Sequence, residues 1–167
     1  KARYLESGNK YFDAGRYKEA SIMYRKAIDK DRKFGQAYYK LALVSLKQNS
    51  VAASVPALRR AVELLKPGSA ESNDAILKLS EIFVVAAQGQ ARNEALVKEV
   101  QDNVAALLKR NPNGWEGLKL SGDLSMLELT KQFKAGDGVA AKKALVEALT
   151  HYRAALNVKP GDYIIML

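Results

Sequence analysis

The chain has 167 residues and a mass of 18.3 kDa, with 48% apolar and 27% charged residues, the proportions of one ordinary domain with a core and a solvated surface. It holds no Cys and one His, which excludes disulfide frameworks, thiol catalysis, thiolate zinc sites and multi-histidine metal centres. The net charge is +9 with a pI near 9.6, and all of the excess lies in residues 1–70, where 15 basic side chains accompany 6 acidic ones, against 12 of each in residues 71–167.

Along the first 70 residues the chain repeats itself. A shift of 34 places Tyr4 on Tyr38, Gly8 on Ala42, Gly15 on Asn49, Tyr17 on Val51, Ala20 on Ser54, Tyr24 on Leu58, Ala27 on Ala61 and Ile28 on Val62. Bulky falls on bulky and small on small. A period of that length accommodates two helices of about 14 residues, each with an apolar stripe, folded into a hairpin by a tight turn. Small residues at Gly8, Ala20 and Ala27 let the paired helices approach, while Tyr4, Tyr11 and Tyr24 fill the space between hairpins. Gly15, in the turn "DAGRY", supplies the residue able to take positive φ at a helix end.

Tyr4, Gly8, Tyr11, Ala20, Tyr24 and Ala27, in that order, resemble the pattern of the tetratricopeptide repeat (TPR) family, with Arg32 standing where that pattern ends in Pro. The second copy keeps Tyr38, Leu41, Ala42, Leu58 and Ala61, departs at Ser45 and Ser54, and has its proline one place late at Pro67. The resemblance implies an all-α, right-handed α-solenoid of stacked antiparallel helix hairpins.

Two further hairpins follow with looser spacing. "AILKLSEIFVVAA" (Ala75 to Ala87) reads as one helix and Asn93 to Pro112 as the next, with about 8 extra residues around the turn "QGQAR". In the fourth, Gly122, Ala148, Tyr152, Ala155 and Pro160 fit the family pattern, but 14 residues have been added between its helices. Seven residues are close to two helical turns, so an even split predicts two elongated helices with "KAGDG" at the tip and an unbroken apolar face. The repeats are thus expected at 1–34, 35–70, 71–112 and 113–160, in one domain, with 161–167 opening a truncated fifth. The longest apolar runs, Ile82 to Ala87 and Tyr163 to Leu167, are far short of the roughly 18 residues of a membrane span. Exposure of Tyr163, Ile164, Ile165 and Leu167 would cost solubility, so this run is expected to pack back or to self-associate.

Chemistry finds little purchase. His151 has Glu147 one turn away and no nucleophile, the carboxylates Asp29 with Asp31 and Glu99 with Asp102 lie among lysines, and Asp29–Lys33 and Glu94–Lys98 have i,i+4 spacing. "GDG" at 136–138 lacks the preceding strand and the lysine of a phosphate loop. No enzyme, metal or cofactor is therefore expected.

Function is then a matter of surfaces. The family resemblance implies a concave groove lined by first helices: Leu5, Asn9 and Phe12; Tyr39, Lys40, Leu43 and Lys47; Leu77, Lys78 and Glu81; and, from the fourth hairpin, Lys119, Asp123 and Met126. Such a groove takes a protein or peptide partner as an extended segment or helix. The carboxylate clamp of chaperone-adaptor members is not matched, since Leu5, Lys40 and Asp74 depart from its residues and Asp74 would repel an acidic tail. Two thirds of the basic excess falls on second helices and their turns, through Lys18, Arg25, Lys26, Lys30, Arg32, Lys33, Arg59, Arg60 and Lys66. That convex face suits an anionic membrane surface better than nucleic acid, because the aromatics occupy buried repeat positions rather than a platform among the cations. The first repeat also looks like the opening repeat of bacterial multi-TPR envelope lipoproteins, several of which are associated with envelope assembly or polysaccharide export. That likeness implies a scaffold in the periplasm or envelope, or alternatively a substrate-presenting array of a larger enzyme or secretion machine.

Overall fold

The computed structural model describes residues 1–88 and 93–161, which form eight α-helices and no strand. They are α1 (Ala2–Asp13), α2 (Tyr17–Lys30), α3 (Gly35–Lys47), α4 (Val51–Leu64), α5 (Ala70–Ala87), α6 (Glu94–Arg110), α7 (Trp115–Lys134) and α8 (Gly138–Val158). The fold class is all-α and built of helical repeats. Contacts divide it into two compact units, Lys1–Leu79 and the residues from Ser80 onward, with the division inside α5. Most of the turn "QGQAR", and the run containing Tyr163, Ile164, Ile165 and Leu167, lie outside the described residues.

Three hairpin turns share one solution. After α1, Arg16 N–H donates to Tyr11 C=O and Gly15 N–H to Phe12 C=O; after α3 the same pair is Ser50 to Ser45 and Asn49 to Leu46; after α7 it is Asp137 to Gln132 and Gly136 to Phe133. This is the Schellman arrangement, which satisfies helix-end carbonyls by turning one residue into the left-handed region. Gly15 and Gly136 take that position at φ of 71° and 77°, and Asn49, its counterpart after the shift of 34, takes it at 56°. Asn is the non-glycine residue best suited to that conformation.

The links between repeats use a different turn, also in duplicate. Asp31 Oδ1 accepts from Lys33 N–H and Asp31 C=O from Phe34 N–H; Asn111 Oδ1 accepts from Asn113 N–H and Asn111 C=O from Gly114 N–H. Short polar side chains that cap their own turn in this way stop a helix and re-aim the chain.

Within the first unit, Ala20, Tyr24 and Ala27 of α2, Ala37 and Ala42 of α3, and Leu58 and Ala61 of α4 are fully buried. Gly8 of α1 is obligatory, because a Cβ there would lie 2.4 Å from Tyr24 Cε1, and the ring is itself fully enclosed. Pro56 sits inside α4. Its missing N–H frees the Ala52 carbonyl, which belongs to an exposed turn where water can satisfy it.

The second unit repeats the motif at Gly122, whose Cβ would meet Tyr152 Cε1 at 2.5 Å. α7 and α8 span 20 and 21 residues against 12 and 14 for α1 and α2, so the added segment became two turns of each helix. The α8 stripe facing α7 is Ala141, Ala144, Ala148 and Ala155, which permits close approach over the full length. One boundary differs from expectation. α5 starts at Ala70, not Ala75, because Ser69 Oγ accepts from Ser72 N–H and caps a polar first turn that carries no apolar signal.

Candidate functional site

The predicted groove residues fall into three groups. Leu5, Asn9, Phe12, Lys40, Leu43 and Lys78 are half-buried in the first unit and Lys47 is exposed. Two others correct the expectation: Leu77 is only 4% exposed and Tyr39 9%, so both are core residues with almost no surface to offer a partner. Glu81 is half-buried and belongs to the second unit, with Lys119, Asp123 and Met126.

The polar members are held from within. Asn9 Oδ1 accepts a 2.9 Å bond from the Tyr24 hydroxyl, which fixes the amide across α1 and α2 and leaves its NH2 as a donor. Tyr39 donates to Asp74 Oδ2 at 2.6 Å, and Asp74 Oδ1 pairs with Lys78 at 3.2 Å, so the Asp74 carboxylate is already paired. Burial, then the bond to Asp74, pushes the Tyr39 hydroxyl well above its ordinary pKa. Lys40 lies 5.9 Å from the Tyr39 ring centroid, and Phe12 meets Tyr17 edge-on at 5.4 Å.

The second unit carries an analogous but charged arrangement. Tyr152 donates to Asp123 Oδ1 at 2.7 Å, in the place of Tyr24 and Asn9, and Lys119 bridges Asp123 at 2.8 Å and Glu81 at 2.7 Å. Burial works against the Lys119 ammonium, but the two carboxylates outweigh it and raise its pKa. Sequence reasoning placed these residues in the groove by family analogy but missed their bonds to one another. The available signal was the pairing of a small residue and a polar residue, Gly8-Asn9 and Gly122-Asp123, with a tyrosine in the following helix.

On the second helices, Lys18, Arg25, Lys26, Lys30, Arg32 and Lys33 are exposed and form no ion pair among the described residues; Arg59 is exposed, and Arg60 pairs with Glu63 at 2.6 Å. One expected helix pair does not form among the described residues, since α2 ends at Lys30, which carries Lys33 into the turn and away from Asp29; Lys98 bonds Asp102 at 2.6 Å. His151 is half-buried on α8, and no cluster of three or more potential metal ligands occurs among the described residues. No described helix is long and apolar enough to cross a membrane.

Residues 8–49, a quarter of the chain, match the family model described as TPR repeat. No curated protein sequence matches the chain. Among solved structures 23 chains match, and one of them, YrrB, described as a TPR protein with an unusual peptide-binding site, superposes with a TM-score of 0.60. The identity is 23%, over 93% of this chain and 72% of that one, a likeness of fold.

Proposed function

We propose that this chain, whose residues 8–49 match the tetratricopeptide repeat model and whose fold is that of helical repeats, is a non-enzymatic scaffold whose first unit binds a peptide or helix of a partner protein along α1 and α3. The observation that carries this reading is the preset Asn9 amide beside half-buried apolar side chains, Leu5 and Phe12 on α1 and Leu43 on α3. An amide whose oxygen is engaged by Tyr24 offers donors to a backbone carbonyl at little ordering cost, and the apolar residues supply anchor contacts. Lys40 and Lys47 add cations for one or two acidic groups on the ligand.

Tyr39 is unsuitable as a probe, since its removal would open the core. Leu43→Arg and Asn9→Ala are the informative variants. Peptides selected from a display library on the 167-residue chain are expected to lose about tenfold or more in affinity with either variant, with unchanged helical circular dichroism. Full retention of affinity in both variants overturns the assignment.

We propose further that this scaffold works in the bacterial envelope, with a component of an assembly or export system as partner, a reading supported by the resemblance of the opening repeat to envelope lipoproteins; a substrate-presenting array within a larger enzyme or secretion machine is the alternative arrangement. A second reading is favoured by a separate observation. Six exposed α2 and turn cations lack ion pairs among the described residues, which suits tethering of the first unit to an anionic surface.

A further inference from the structure

Among the described residues, the two most exposed large apolar side chains outside the groove and the core lie together at the tip of the α7–α8 hairpin. Phe133, in the last turn of α7, is 77% exposed, and Val139, in the first turn of α8, is 85% exposed. They are the two most exposed large apolar side chains among the described residues and flank the turn that Gly136 closes. Val146, 56% exposed, continues the Val139 stripe two turns along α8. Four lysines, Lys131, Lys134, Lys142 and Lys143, surround them. The single carboxylate in this stretch, Asp137, is committed to capping the Ala140 N–H. Glu128 and Glu147 reach Lys131 and Lys143 only at 4.0 and 3.9 Å, and Lys134 and Lys142 form no ion pair among the described residues.

We propose that this tip inserts into an anionic lipid surface, with Phe133 and Val139 entering the boundary between headgroups and acyl chains and the lysines meeting lipid phosphates. The charge pattern selects that occupant: residues 131–146 carry +3 around an apolar point, and lysine stems can lie along the inserted side chains while their ammonium groups stay among headgroups. The shape selects it as well. Phe133 and Val139 stand exposed on either side of a tight turn, and a lipid interface yields around a protruding Phe. The site belongs to the second unit, and the α1 and α3 surface proposed for peptide binding to the first.

The absence of Cys permits a clean test. Phe133→Cys, labelled with an environment-sensitive fluorophore, is mixed with vesicles of phosphatidylglycerol and phosphatidylcholine at about 3:7, and Val85→Cys, at an exposed position of α5, serves as the control. Emission from position 133 should rise about threefold and shift to the blue while position 85 stays constant. Unlabelled Phe133→Ser/Val139→Ser should co-sediment with the same vesicles at least about tenfold less than the parent chain, and, both sites being exposed, should keep its helical spectrum. The proposal is overturned by any of four results: no partition onto these vesicles, equal partition onto pure phosphatidylcholine, undiminished partition of the double variant, or binding of the tip to an acidic polypeptide with none to vesicles.

Discussion

Tyr24 and Tyr152 do the same work in hairpins whose helices differ by two turns. Each ring covers a glycine, Gly8 or Gly122, and each hydroxyl crosses to the next residue, Asn9 or Asp123. The acceptors differ in charge, which separates the expected costs. Tyr24→Phe should destabilise by about 1 kcal/mol, and Tyr152→Phe, which strips a bond from a carboxylate, by roughly 1.5–3 kcal/mol, both measured by urea unfolding at neutral pH. Alkaline behaviour follows from the same burial. Burial raises the Tyr24 hydroxyl to about 12, whereas an unfolded tyrosine ionises near 10. The raised native value means that this contribution is complete below about pH 10 and is lost as pH climbs toward 12, because the unfolded chain releases its proton first. Stability of the parent chain should therefore fall across that window, and less steeply in Tyr24→Phe. Parallel pH profiles would remove the buried hydroxyl as the cause.

At the scale of elements, turns decide where the repeats begin and end, and they were unevenly legible. Gly15 announced its own left-handed position, and the even split of the fourth hairpin around "KAGDG" followed from helical periodicity. The first turn of α5, "AESN", went unread because it has no apolar residue larger than Ala and is set by the Ser69 cap. The duplicated inter-repeat turn supports a stabilising substitution. Asp31 and Asn111 have nearly the same extended conformation, φ −155°, ψ 99° and φ −142°, ψ 96°, but Asn111 is followed by Pro112 and Asp31 by Arg32. The residue preceding a proline must be extended, and Asp31 already is. Arg32 N–H makes no backbone hydrogen bond among the described residues, so proline would remove nothing. Arg32→Pro should then stabilise by about 0.4–1 kcal/mol through the entropy of the unfolded chain, read as a rise in the urea midpoint. A lower midpoint would mean that the two turns differ in a way their shared hydrogen bonds do not reveal.

For the whole molecule, the fold class was legible because a period of 34 with small and bulky residues in register admits few other architectures, whereas the site was legible only as a set of positions. The family resemblance put Leu77 and Tyr39 on groove-lining helices but carried no information on which neighbour would cover them. Net charge showed a similar division, since a basic excess in residues 1–70 says where cations are and not what they meet. Two contacts with an anionic surface are now distinguishable by salt. The cations of α2 and its following turn can act only through Coulomb attraction, about 1 kcal/mol for each well-placed side chain, and this decays within a Debye length of roughly 10 Å at 0.1 M salt. Insertion of Phe133 and Val139 is driven by removal of apolar surface from water and is not screened in that way. Lys26→Glu/Lys30→Glu/Lys33→Glu should therefore weaken vesicle association several-fold at about 50 mM salt and change it little at about 500 mM. Phe133→Ser/Val139→Ser should weaken it at both. If instead the parent chain leaves the vesicles entirely at high salt, the attachment is electrostatic alone, and the charge of the first unit, not the tip of the second, is what holds the protein to the surface.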